Sequence, residues 1–184
     1  MSSLAHKLAR FSVSGTAKVI VWRSTGGVEL PLAEGVTVRE VSAAQIEEAR
    51  SMDDEASLAY LRRVMAQGYH AWFAYCDGIV VHRSLIVPGP TTYNLWRWTA
   101  KLEVPANEGV IVGCATHPKY RGRGIYPAVL SRLANDERWS GVWSFTDEDN
   151  LASRRGFTKA GYHVDHVLTV RAWHGFARVE RAAP

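Results

Sequence analysis

One stretch limits what this chain can be more than any other: Thr116-His117-Pro118-Lys119-Tyr120-Arg121-Gly122-Arg123-Gly124-Ile125-Tyr126. It follows a β-rich run, Gly109 to Thr116, and precedes a segment in which Ile125, Val129, Leu130 and Leu133 recur at helical spacing. A strand that passes through a glycine-bearing turn into a helix is suited to holding phosphate. The first N–H groups of the helix have no internal partner, and the helix dipole adds partial positive charge there. Glycines let the backbone approach a ligand with no Cβ in the way. Arg121 and Arg123 supply charge-assisted hydrogen bonds. Pro127 falls in the first turn, where its missing N–H costs least.

Two other phosphate loops fit less well. A P-loop needs Lys followed by Ser or Thr after its last glycine, and Gly124 is followed by Ile125-Tyr126. A dinucleotide fingerprint needs a third glycine, and Gly122-Arg123-Gly124-Ile125-Tyr126-Pro127 lacks it.

The rest of the chain sets the context. Its 184 residues suit one domain, 47% of them are hydrophobic and 22% charged, and both fractions are ordinary for a globular protein. The net charge of +4 is too small, without a basic run, to argue for nucleic acid, so no nucleic-acid partner is expected. Cys76 and Cys114 stand in separate strand-like runs, which points away from a metal pair or a disulfide framework and towards a reducing cytoplasm. No metal is expected. The apolar stretch from Ala17 to Trp22 is short and holds Lys18, so it reads neither as a secretory signal nor as a membrane span.

Periodicity gives the element order. Leu4, Leu8 and Phe11 mark a short basic helix over 3–12, which either packs on its own domain or touches an anionic membrane. With the strand at 17–24 it forms an N-terminal extension over 1–35; the main domain is expected over 36–184. Strands follow at 36–41, 69–75 and 79–87, the last two joined by Asp77-Gly78, a hairpin signal. Ser42 with Gln45 forms a capping box for a helix over 43–51, and a second helix fits 54–67. Residues 91–107 read as irregular and aromatic. Then come a strand at 109–116, a helix at 124–137, a strand at 141–146, a helix at 150–160 and a strand at 162–172, with an ambiguous tail. The fold class expected is mixed α/β (α+β) on one central sheet.

Pro118-x-Tyr120-Arg121-Gly122-Arg123-Gly124-Ile125 closely resembles the acetyl-CoA-binding motif of the GNAT superfamily, Arg/Gln-x-x-Gly-x-Gly/Ala. Downstream, Asn150-Leu151-Ala152-Ser153 followed by Gly156-Phe157-Thr158-Lys159-Ala160-Gly161-Tyr162 is similar to the family's next motif, an asparagine opening a helix that ends in Lys-x-Gly-aromatic. The resemblance spans 36–172, with the specific motifs confined to 108–162. It implies a single domain with a splayed strand pair and helices on both faces of the sheet. It also implies acetyl-CoA as co-substrate and direct N-acylation of a primary amine.

Carried over by position, the resemblance gives the backbone from Gly113 through Cys114, Ala115 and Thr116 to the pantetheine arm. Arg121, Gly122, Arg123, Gly124, Ile125 and Tyr126 go to the pyrophosphate, and Asn150 and Ser153 to the far side of the arm. Lys119, Arg154 and Lys159 are candidates for the 3′-phosphate or are exposed helix charges. Two positions depart from the family. A small residue is usual where Tyr126 stands, and the tyrosine that often protonates the leaving thiolate is Phe157 here. Tyr162, Tyr126 and a water are the substitutes.

Glu108 is the first candidate for the base, directly or through a water, or is an exposed strand-end charge. Glu103 and the run Asp147-Glu148-Asp149 are further options. Cys114 reads as a small core residue more readily than as a covalent nucleophile, and His117 as a loop residue. Tyr93, Trp96 and Trp98 either wall the acceptor site or cap the sheet. The acceptor expected is a small-molecule amine. The run Thr-His-Pro-x-Tyr-Arg-Gly-x-Gly-Ile-Tyr-Pro is similar to a subgroup linked to amino-sugar or surface-polysaccharide modification. A homodimer is compatible with the sequence, and so is a non-catalytic acyl-CoA-binding module.

Overall fold

Strand alternation sorts the apolar residues of this chain into two layers. The computed structural model, which describes residues 15–95, 100–173 and 176–183, shows where each layer goes. Eight strands form one mixed sheet. In spatial order they are β10 (Phe176–Ala182), β9 (His163–Trp173), β1 (Gly15–Ser24), β8 (Gly141–Asp147), β7 (Glu108–Thr116), β4 (Ile79–Pro88), β3 (His70–Cys76) and β2 (Val36–Val41). A separate ribbon pairs β5 (Thr91–Asn94) with β6 (Lys101–Val104).

One face of the sheet carries a 3-10 segment (Ala43–Ser51) and α1 (Glu55–Met65). Their Ile46, Ala49, Leu58, Leu61 and Val64 pack on Val21, Phe73, Leu85 and Val110. The opposite face carries α2 (Ile125–Ala134) and α3 (Leu151–Lys159), whose Ile125, Val129, Leu130, Leu133 and Phe157 pack on Ile20, Trp22, Ile86 and Val142. Each of the larger aliphatic and phenyl side chains withdrawn from water is worth about 1.5–3 kcal/mol, which is what holds helices to both faces. The fold is the single-domain α/β architecture expected.

Local chemistry explains the boundaries. Gln45 Oε1 accepts from the Ser42 N–H at 3.0 Å, and Asp54 Oδ1 accepts from the Ser57 N–H at 2.8 Å. Asp77 and Gly78 both have positive φ, 52° and 77°, as a tight two-residue hairpin turn requires.

The sequence reading differs from the structure in four places. The strand at the chain's start is integral to the sheet, because β1 lies between β9 and β8 and pairs with both. Residues 91–107 contain the β5–β6 ribbon, with Leu102 and Val104 buried. The tail supplies β10 against β9. The segment 43–51 is 3-10 rather than α. The helix expected over 3–12 lies outside the described residues. Among the described residues, no helix is long and apolar enough to cross a membrane.

Two irregularities of β7 shape the site. First, β7 and β8 are parallel but pair only at Glu108↔Gly141, Gly109↔Val142 and Val110↔Trp143. Beyond that they part, forming the fork that the resemblance implied. At the fork Ser144 Oγ donates to the Ile111 carbonyl at 3.0 Å, taking the place of a strand partner. Second, β4 pairs Arg83 with Ala115 and then Leu85 with Val112, so β7 carries one extra residue there. Gly113, at φ 62°, absorbs this bulge, where a side chain would be strained.

Candidate active site

The loop between β7 and α2 forms one wall of the site. Gly124 sits at φ 75° and ψ 4° as the N-cap of α2, a left-handed conformation that only glycine takes without penalty. No atom lies within 4 Å of where a Cβ would stand on Gly124 or Gly122, so the loop presents bare backbone to open space. That space is a pocket of about 480 Å³ between the loop and α3. Thr116, Arg121, Gly122 and Gly124 line one side of it, and Asn150, Ser153, Arg155 and Lys159 the other.

The arginines divide. Arg121 lines the pocket, and its Nε donates to the Thr116 carbonyl at 3.2 Å. Arg123 turns away: its guanidinium lies 5.4 Å from the Tyr120 ring centre and 3.9 Å from Cys76 Sγ. Asn150 Oδ1 accepts from the Ser153 N–H at 3.1 Å, which fixes the start of α3. Of the three cations expected near a 3′-phosphate, Lys159 lines the pocket, whereas Arg154 donates to the Glu148 carbonyl at 2.9 Å. Arg155, which the sequence reading passed over, lines it instead.

The fork between β7 and β8 holds a second cavity of about 320 Å³. It is bordered by Val112, Gly113 and Phe145, with Asp147 as its carboxylate. Cys114, Tyr126, Asn150 and Ser153 border both cavities, so the two meet at those side chains. Tyr126 folds inward. Its ring meets Phe157 edge-on at 5.9 Å and lies 5.8 Å from the His82 ring. Burial raises its hydroxyl well above the usual phenol range, although a hydrogen bond with Ser153 opposes the shift. Phe157 is 2% exposed and stacks on Trp22 at 5.3 Å.

Of the residues expected to move protons, Tyr126 and Asp147 line these cavities, whereas Glu108 and Tyr162 line neither. Glu108 stands at the closed end of the fork, about 20 Å along the strand from Cys114 at about 3.3 Å per residue. Its side chain is 10% exposed; one oxygen accepts from Arg23 Nη2 at 2.7 Å and the other from the Trp143 indole N–H. That ion pair gives Glu108 a structural part. Tyr162 is buried beside Phe157, where its hydroxyl donates to the Leu130 carbonyl at 3.3 Å and burial raises its pKa. Glu103 is engaged by the Thr92 hydroxyl at 2.7 Å, and His117 Nδ1 accepts from the Lys119 N–H.

Tyr93, on the ribbon, packs against Phe145 at 5.7 Å and so reaches the rim of the fork on the face opposite α2 and α3. Burial pushes its hydroxyl up to about 12. Trp96 and Trp98 lie outside the described residues. Ala115 and Arg123 line neither cavity.

Two side chains at the junction were not singled out from sequence. His82 and Ser84 are both fully buried in β4, next to Thr116 and Cys114. A bulge between β3 and β4, where Tyr75 pairs with Val80 but Ala74 with His82, turns His82 onto the α2 side. Strict alternation along the sequence cannot reveal such a turn.

No family model matches the chain, and no curated protein matches it. Solved structures do. A GNAT-family acetyltransferase from Colwellia psychrerythraea superposes with a TM-score of 0.59 at 14% identity, over 90% of this chain and 59% of that one. A GCN5-related N-acetyltransferase from Sphaerobacter thermophilus gives 0.56 at 18% identity, over 100% of this chain and 57% of that one. The chain thus spans less than two thirds of the length of these relatives. The structure of AAC(6')-Iy in complex with the bisubstrate analogue CoA-S-monomethyl-acetylneamine gives 0.51 at 15% identity, over 68% of this chain and 89% of that one. The chain has the fold of the GNAT acetyltransferases.

Proposed function

We propose that this chain is an acyl-CoA-dependent N-acyltransferase, with acetyl-CoA as donor, that transfers the acyl group directly to a primary amine of a small molecule. One observation carries the reading: a bare-backbone phosphate loop opens into a pocket that meets a forked strand pair. Pyrophosphate suits the N–H groups around Gly122 and Gly124. Beyond Val110, the β7 edge that faces β8 has lost its strand partner, so an amide-bearing arm can pair with it as an added strand would. The acyl group then lies in the fork, and the amine approaches from the opposite face, past Tyr93 and Phe145.

Direct transfer requires the amine to lose a proton and the thioester carbonyl to be polarised. Asp147, the carboxylate bordering the fork, receives the amine's proton in this reading. An amino sugar is the acceptor class we favour: the sequence resembles that subgroup, and a neighbour of the same fold was solved with an acetylneamine analogue.

Phe157 supports a second reading, a module that binds acyl-CoA without turning it over. Incubation with acetyl-CoA and a panel of amino sugars and other primary amines, following thiol release, separates the two. Amine-dependent release supports the transferase. Saturable CoA binding with no release from any amine supports the module.

A further inference from the structure

A hydrogen-bonded chain runs through the sheet at the junction of the two cavities. The Thr116 hydroxyl lies 2.7 Å from His82 Nδ1, His82 Nε2 lies 2.9 Å from Ser84 Oγ, and Ser84 Oγ donates to Cys114 Sγ at 3.2 Å. The middle members, His82 and Ser84, are both 0% exposed. The end members, Thr116 and Cys114, are half-buried and line the pocket. The two strand bulges place all four side chains on the α2 side of the sheet.

The direction of the chain follows from its members. Ser84 has one hydrogen and gives it to Cys114, so its oxygen must accept from His82 Nε2–H. Nδ1 of the neutral ring is then an acceptor, and the Thr116 hydroxyl must donate to it. His82 is neutral, since burial lowers its pKa to about 3. Every donor therefore points towards the sulfur. Cys114 Sγ already receives a hydrogen bond, and its own S–H is left to point away from Ser84. The residue borders both the phosphate-side pocket and the fork, so a thiol hydrogen turned from Ser84 is available to the junction where the acyltransferase reading puts the acyl-CoA sulfur.

We propose that Cys114 is the general acid of the transfer, and that Thr116, His82 and Ser84 are positioning residues that hold its S–H towards the departing sulfur. This rests on the acyltransferase reading. The amine nitrogen bonds to the thioester carbon, the C–S bond breaks, and its electron pair leaves on the CoA sulfur. The Cys114 S–H gives its proton to that sulfur, yielding CoA thiol and a Cys114 thiolate. The Ser84 hydroxyl stabilises the thiolate through the bond it already makes. As CoA departs and solvent enters, Asp147 releases to it the proton taken from the amine, and the solvent returns a proton to Cys114, so both groups are reset. Burial pushes the Cys114 thiol up to about 11, so it is protonated at neutral pH, as an acid must be. Phe157 has no proton to give, and the hydroxyl of Tyr162 is committed to Leu130.

Kinetics with donors of graded leaving-group acidity test this in the full chain. Acetyl thioesters of CoA and of a CoA analogue bearing a more acidic thiol are compared in wild type, Cys114→Ala, Ser84→Ala, Thr116→Val, Thr116→Ser and Tyr126→Phe. The expected result is a fall in kcat of about 10²-fold with acetyl-CoA in Cys114→Ala, in the range of general-acid catalysis. Binding of acetyl-CoA should stay within about twofold, and the acidic-thiol donor should restore most of the rate. Ser84→Ala and Thr116→Val should show smaller losses of the same kind, and Thr116→Ser should be close to wild type. In ¹⁵N-histidine spectra the resonance lost in His82→Gln should report a neutral Nε2–H tautomer. A Cys114→Ala enzyme with unchanged kcat and leaving-group dependence would overturn the assignment. So would a leaving-group-dependent loss confined to Tyr126→Phe, or an Nδ1–H tautomer of His82. Wild-type protein that binds CoA but acylates no amine would instead bring down the acyltransferase reading, and the assignment with it.

Discussion

Tyr126 occupies the space that a side chain on Gly156 would need: a Cβ there would stand 2.5 Å from the tyrosine ring. The bulky residue in the first turn of α2 is thus matched by a missing one in the middle of α3, and the ring is held at the meeting point of the two cavities. The departure noted at Tyr126 and the glycine inside a helix are one feature.

Gly156→Ala should therefore destabilise the protein, against the usual gain of about 0.5–1 kcal/mol for such a change within a helix. The expected loss is about 1–3 kcal/mol from overpacking. Gly156→Ala with Tyr126→Ala should recover part of it, because residues in contact are not additive. Urea unfolding of the two single variants and the double variant reads the coupling directly.

Gly124→Ala should weaken CoA binding at least tenfold and cost about 1–2 kcal/mol of stability. The residue would be forced into a left-handed conformation, and its methyl would project into the open space that the acyltransferase reading gives to the pyrophosphate. Calorimetric titration with CoA measures the first effect and urea unfolding the second.

Glu108→Gln separates a structural carboxylate from a catalytic one. Removing the charge leaves Arg23, 29% exposed in its side chain, without its partner. A loss of about 2–3 kcal/mol is expected, below the range for fully buried pairs because of that exposure. The rate per folded molecule should be unchanged. A fall of 10²-fold or more in kcat at unaltered stability would return Glu108 to the role of base.

His82 should make the protein acid-sensitive. Its folded pKa, lowered to about 3, lies below the unfolded value of about 6.5. Between those values the unfolded chain binds the extra proton, so stability is complete above about pH 6.5 and falls as the pH drops towards 3. The slope is about 1.4 kcal/mol per pH unit for this one group. Urea unfolding at pH 7 and pH 5 should show a loss about 2 kcal/mol larger in wild type than in His82→Gln. Equal losses would mean that the ring is already charged in the folded protein.

Much of this architecture was legible in local chemistry. Asp77-Gly78 marked its hairpin because positive φ is tolerated there, and Ser42 with Gln45 marked a helical start. Gly122 and Gly124 between a strand and an apolar helix marked the bare-backbone loop that opens on the pocket. The ribbon at 91–104 and β10 were missed because short edge strands owe their form to a neighbour rather than to their own pattern. Arg155 was missed for a similar reason. Which of two adjacent helical arginines faces the pocket depends on how Asn150 sets the start of α3.

By itself the sequence determined most of the elements and the loop, since turn preference, capping and hydrophobic period act over a few residues. Tertiary structure decided which side chains meet. Bulges in β4 and β7 shifted the alternation, so His82 and Ser84 came to face Cys114 and Thr116. The early parting of β7 from β8 opened the fork and left Glu108 at its closed end, bound to Arg23. Such outcomes depend on register between strands distant in the chain, and a one-residue offset in register moves a side chain from one face of the sheet to the other.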